Sequence, residues 1–168
     1  MNVVTTLIKS RHSVRKYKPD PLDERAIQDA LECAALAPTA RNVQPWLFGI
    51  VREKPVLKTI AGLAANGAFI ADCAACFFVF CEKKELYYLE DGCAATENLI
   101  LALQAYGVSS CWVAGDKKEY AESVRKLLNV PENYTLVSLV AAGIPAEVTI
   151  APKKPLKKIV FFEQYTNE

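Results

Sequence analysis

Histidine is almost missing from this chain. Its 168 residues include one, His12, so a Ser–His–Asp or Cys–His arrangement would hang on a single imidazole in a basic stretch. No G-x-S-x-G elbow accompanies it. Glycine is scarce too, at seven residues. Neither G-x-G-x-x-G nor G-x-x-x-x-G-K-[ST] occurs, so a bound anion has to be held by side chains. An excess of charge is also lacking: 20 Lys and Arg stand against 19 Asp and Glu. That balance gives no global field for nucleic acid or a membrane surface. The most apolar run, 68–81, is interrupted by Asp72 and is too short to span a bilayer. Residues 1–4 lack a basic n-region and a long apolar h-region. These absences lead us to expect a cytoplasmic protein that binds neither nucleic acid nor membrane.

What is present is apolar. Hydrophobic residues make up 52%, which suits a full core or an additional buried interface, and the length fits one domain. The six cysteines (33, 73, 76, 81, 93, 111) sit in Ala-rich apolar surroundings and do not resemble a secreted disulfide framework. Cys73-Ala-Ala-Cys76 matches C-x-x-C but has no Gly-Pro or Trp flank, so it reads as two buried thiols leading into a strand. A zinc site would need ligands that one histidine does not supply. No metal is expected.

Along the chain, residues 3–8 form a short helix candidate capped by Asn2. Asp23 caps a second helix over 24–36, whose Ala26, Ile27, Ala30, Leu31 and Ala34 follow helical spacing. Pro38 ends it, because proline lacks the N–H and disfavours helical geometry at Ala37. Residues 47–51 read as a buried strand. Pro55 starts a helix over 56–65, Asn66-Gly67 breaks it, and a short turn carries Phe69 and Ile70. Residues 75–81 have no polar alternation, as in a strand covered on both faces. The longest helix candidate spans 86–106, with Gly107 as its stop. A helix so apolar lies at a domain centre or a dimer interface. A short strand over 110–113 follows, then a helix opened by an Asp116/Glu119 capping box. A further strand over 136–142 ends at Gly143-Ile144-Pro145. Long helices outweigh the strands, so the class is α+β or mixed α/β.

Two stretches can carry chemistry. Arg11, Ser13 and Arg15 alternate, so an extended segment points all three one way. Two guanidinium groups and a hydroxyl suit a phosphate, although a solvated basic turn is the commoner fate of such a run. A second basic patch, 153–158, could close around the same small anion. The loop between Pro38 and Pro45 holds Thr39, Arg41, Asn42 and Gln44. These groups either cap a helix or grip a polar, planar ligand.

Taken in order, these stretches resemble the FMN-dependent nitroreductase family. Arg11-His12-Ser13-Val14-Arg15-Lys16-Tyr17 is similar to its R-x-S-x-R-x-[FY] motif. Ala37-Pro38-Thr39-Ala40-Arg41-Asn42-Val43-Gln44-Pro45-Trp46 is similar to A-P-S-[AGS]-x-N-x-Q-P-W. Asp91 to Asn98-Leu99 matches the D-x-x-x-x-x-x-N-[LM] pattern of the family's central helix, and Gly143-Ile144-Pro145 with the late lysines completes the likeness. The resemblance implies an α+β, three-layer fold with a central, mostly antiparallel sheet, in one domain over 1–168. It implies an intertwined homodimer with FMN in the interface and residues 153–168 as an arm on the partner.

By the same resemblance, Arg11 and Ser13 face the FMN phosphate, with His12 in the same site and Lys153 or Lys154 completing it. Arg15 approaches the pyrimidine edge and tunes the flavin. Pro38, Thr39, Ala40 and Asn42 come from the opposite subunit, and Asn66 lies beside the ring. Val113, Ala114 and Gly115 pass the flavin N5 and O4. No side chain is assigned as catalytic. Thr39 stands where the family has Ser, and Arg41 adds a cation to the loop. The short stretch 115–131 leaves little room for covering helices, so an open pocket is expected.

The implied activity is that of an oxidoreductase moving hydride from NADH or NADPH through FMN to a small conjugated acceptor, such as a nitroaromatic or a quinone. Two alternatives remain at this level. One is a non-catalytic FMN carrier or redox sensor with Cys73 and Cys76 as its switch. The other is a dimer that has lost its cofactor.

Overall fold

Local capping sets the first two helices. A computed structural model describes residues 2–165, and in it α1 (Val3–Ser10) starts where Asn2 Oδ1 accepts the Thr5 N–H at 3.2 Å. α2 (Glu24–Ala35) starts where Asp23 accepts the Arg25 N–H at 2.8 Å. Each cap satisfies a donor that the helix cannot pair internally. α2 stops before Pro38, as its sequence requires.

Four strands make one sheet: β1 (Trp46–Val51), β2 (Ala75–Glu82), β3 (Ser109–Ala114) and β4 (Tyr134–Gly143). Their order is β1-β2-β4-β3, and every neighbouring pair is antiparallel. β2 and β4 are therefore central, which explains why β2 is apolar throughout. Its alternate side chains enter two separate cores. Phe77 joins Val140 beneath α2 and α4 (Tyr88–Ala105). Phe78 and Phe80 join Leu139 beneath α3 (Lys54–Leu63) and α5 (Ala121–Leu127). Phe77, Phe78 and Phe80 are fully buried, and each stabilises the fold by roughly 1.5–3 kcal/mol on transfer grounds. The result is the expected α+β three-layer arrangement.

Two local expectations are corrected. β1 is not a buried strand: it pairs on one side only, and Leu47 is 37% exposed. The Asp116/Glu119 capping box does not form either. Lys117 takes a left-handed conformation (φ 58°), which turns the chain away, and α5 begins only at Ala121 without a side-chain cap. Gly107, at φ 71°, ends α4 as glycine does after a helix C-terminus.

Candidate functional site

The basic segment 11–17 is held open as an extended strand beside the sheet. It leaves α1 at Arg11 in extended geometry. The Val14 N–H then donates to Ser110 O at 3.0 Å, and the Lys18 N–H to Ile144 O at 2.8 Å. The Tyr17 hydroxyl donates within a fork of two carbonyls, Val14 O at 2.6 Å and Ala141 O at 3.0 Å. Burial raises the Tyr17 pKa, so this anchor stays protonated. Its ring lies against Gly143, where an added Cβ would come within 2.8 Å of it. With Val14 buried, the alternation leaves Ser13 and Arg15 exposed.

That alternation builds a cleft of about 210 Å³. Arg11, His12, Ser13 and Arg15 line it from one side, and Thr149 and Lys153 from the other. The two basic patches of the sequence thus meet, 138 residues apart in numbering between Arg15 and Lys153. Lys154 does not line the cleft. Arg15 also lies over the Phe69 ring, 5.6 Å from its centroid, a cation–π contact that steadies the guanidinium. Phe69 belongs to a 3-10 turn, Ala68–Asp72, and Asn66 is exposed just before that turn.

The loop 38–44 is stiffened from inside. Arg41, Asn42 and Gln44 all have positive φ, at 54°, 57° and 53°, which costs energy for residues with a Cβ. Asp91, buried at 6% exposure in the first turn of α4, provides the compensation. It accepts the Thr39 hydroxyl at 2.6 Å and the Ala40 N–H at 3.1 Å. Thr39 Oγ1 in turn accepts the Gln44 N–H at 3.1 Å. Within the chain, that hydroxyl braces the loop on α4 and does not cap a helix. Pro38 and Asn42 are exposed and Ala40 is half-buried, and none of the three lines the basic cleft.

At the end of β3, Val113 is buried and Ala114 exposed. Gly115 passes so close to β4 that an added Cβ would lie 2.5 Å from Leu136 Cγ. The following turn is tied to α4 by the Tyr88 hydroxyl, which donates to Asp116 Oδ1 at 2.8 Å. Tyr88 and Asp91, three residues apart in α4, therefore brace both segments. Sequence reading gave neither residue a role. The available signal was the position of Asp91 at the head of the D-x-x-x-x-x-x-N pattern, which gives no partner for its carboxylate.

The cysteines sit apart from this chemistry. All six are free thiols, and Cys73 and Cys76 are fully buried. Burial pushes the Cys73 thiol up to about 11 and also raises the Cys76 thiol well above its ordinary value. Protonated, inaccessible thiols are poor nucleophiles. Among the described residues, no three His, Cys, Asp or Glu side chains gather to hold a metal ion, and no helix is long and apolar enough to cross a membrane.

The Nitroreductase family matches residues 8–90 and 64–144 of this chain. It therefore belongs to the nitroreductase family. A relative from Archaeoglobus fulgidus is 33% identical over 147 residues, covering 84% of each chain; its provisional name is NADH dehydrogenase/NAD(P)H nitroreductase. A crystal structure from Bacteroides thetaiotaomicron with the same provisional name superposes with a TM-score of 0.93 at 26% identity. It covers 98% of this chain and 99% of that one. A provisionally named nitroreductase from Desulfovibrio desulfuricans, solved in complex with FMN, has the same fold at 24% identity, with a TM-score of 0.84 and 99% of each chain covered. The chain thus has the nitroreductase fold, with its α+β class.

Proposed function

We propose that the chain is an FMN-dependent oxidoreductase of the cytoplasm, taking electrons from NADH or NADPH and passing them to a small conjugated acceptor such as a nitroaromatic or a quinone. One observation carries this reading: Arg11, His12, Ser13, Arg15 and Lys153 converge on one cleft. The Arg11 guanidinium, the Lys153 ammonium, the Ser13 hydroxyl and the His12 imidazole form a donor set that suits a phosphate monoester dianion, with Arg15 beside them. A flavin held by its phosphate there would supply the centre that accepts and donates hydride.

The chain's own residues bind, orient and tune. Arg11, His12, Ser13 and Lys153 hold the phosphate, with Lys154 as a neighbouring charge. Arg15 extends one alternation further and favours negative charge on the reduced ring. Asn66 and the backbone of Val113, Ala114 and Gly115 flank the ring, while Pro38, Thr39, Ala40 and Asn42 serve the flavin of the partner subunit. The buried state of Cys73 and Cys76 favours the enzyme over a redox sensor switched by those thiols.

The dimer belongs to the same proposal. α1 buries none of its side chains within the chain, and an apolar groove of about 350 Å³ runs between Val4, Leu7, Ile8, Leu36, Leu101 and Ala102. A second copy would cover it. The arm assigned to 153–168 leaves Phe161 and Phe162 exposed; residues 166–168 lie outside the described part. With the arm on its partner, residues 1–168 act as one domain.

Purified protein should be yellow and bind FMN in a titration of flavin fluorescence. Arg11→Ala removes a charge-assisted contact of about 1.5–3 kcal/mol, so FMN affinity should fall by roughly one to two decades. Riboflavin, without a phosphate, should be indifferent. Equal losses for the two flavins would remove Arg11 from the phosphate and with it the argument for the cleft. Sedimentation should give twice the 18.5 kDa chain mass at low micromolar concentration.

A further inference from the structure

A second, larger cleft lies on the other side of Arg15. It encloses about 550 Å³, and its walls include Arg15, Lys16 and Tyr17 from the basic segment, Lys54 and Lys58 from α3, and Asp72 from the 3-10 turn. Four cations against one carboxylate is a marked local excess in a chain of net charge +1. Lys16 is answered by Glu147 at 2.9 Å. Among the described residues, Arg15, Lys54 and Lys58 form no ion pair. Lys54 is also held in place, because its Nζ donates to Cys73 O at 2.7 Å. Lys54 and Lys58, one turn apart on α3, face the same cavity as Arg15 and Lys16 of the basic segment, so two separate elements bring their cations to one cavity.

We infer that this cleft is an organic-phosphate site, distinct from the smaller cleft and joined to it through Arg15. Phosphate groups answer an excess of point charges better than a single carboxylate does, and three unpaired cations match a bisphosphate. The volume admits a ligand of nucleotide size. Two sources carry this chemistry. One is the phosphate-bearing half of the pyridine-nucleotide donor, and to that extent the inference rests on the proposed function. The other is a separate phosphorylated metabolite. In either case Asp72 sets a limit, since its carboxylate repels an anion that sits too deep.

The test is a calorimetric titration of the flavin-loaded protein with adenosine 2′,5′-bisphosphate. Wild type should bind it, more weakly as salt rises. Lys58→Glu should weaken it on the order of tenfold or more, a step of about one decade per 1.4 kcal/mol, and Lys54→Met should act in the same direction. FMN affinity should not change in either variant, since neither lysine lines the smaller cleft. A KM for NADPH that rises in parallel, at constant kcat, identifies the donor as the source. An unchanged KM with lost bisphosphate binding identifies a separate metabolite. No binding by wild type, or binding that both variants retain in full, overturns the site. Failure to oxidise either nucleotide would count against the proposed function alone, because the calorimetric result stands without turnover.

Discussion

Thr39 donates its hydroxyl proton to Asp91 at 2.6 Å, across 52 residues of sequence, and this bond ties a strained loop to the first turn of the longest helix. Three left-handed residues follow Thr39 in that loop. Without Asp91 the segment would lose both the hydroxyl bond and the Ala40 N–H bond, while keeping its backbone strain. Asp91→Ala should therefore destabilise by about 1.5–3 kcal/mol. Arg41, exposed in the loop, makes a direct reporter. Native-state trypsin cleavage at Arg41 should accelerate roughly tenfold or more in the variant, because local opening becomes that much cheaper. Unchanged cleavage would mean that the loop is held by its own turns.

Arg15 sits between the two clefts, over Phe69, where its charge acts on both. Arg15→Gln keeps hydrogen-bonding capacity and removes the charge. The two-electron potential of bound flavin should fall by roughly 30 mV, equivalent to about 1.4 kcal/mol, with little change in FMN affinity. A spectroelectrochemical titration at saturating FMN measures it. An equal potential in both proteins would place Arg15 away from the ring.

Gly143 is required by Tyr17. A Cβ at 143 would lie within 3.0 Å of three atoms of Tyr17, the closest at 2.8 Å, and that residue holds the basic segment through Val14 O and Ala141 O. Gly143→Ala should cost about 1–3 kcal/mol through overpacking, a Tm loss of roughly 2–12 °C. It should also weaken FMN binding. Tyr17→Phe, which keeps the ring and deletes the hydroxyl, separates the packing from the hydrogen bonds.

Glu122 pairs with Arg125 through two bonds, at 2.6 and 2.9 Å. The Arg125 side chain beside it lowers the Glu122 pKa from the ordinary 4.5 to about 2. A carboxyl depressed by folding contributes stability that is fully present above 4.5 and disappears as pH falls towards 2. Because Glu122 is exposed to solvent, screening keeps the effect modest. Glu122→Gln should flatten the Tm profile between those two pH values and lower Tm slightly at neutral pH. A profile as steep as wild type would assign the acid sensitivity to other carboxylates.

Much of this protein is written locally. Caps at Asn2 and Asp23, breaks at Pro38 and Gly107, and the uninterrupted apolar run of β2 follow from propensity and hydrogen-bond supply within a few residues. The alternation of Arg11, Ser13 and Arg15 is equally local, and it predicts a shared face before any fold is known. What no local rule contains is the meeting of Lys153 with Arg11, or of Asp91 with Thr39, because those contacts depend on how β3, β4 and α4 pack. The same holds for Asp116. Its spacing to Glu119 suits a capping box, yet the left-handed turn at Lys117 and the Tyr88 hydroxyl claim it instead. The cleft formed by Arg15, Lys54 and Lys58 is likewise a product of packing, since only the docking of α3 against the basic segment sets those charges around one cavity.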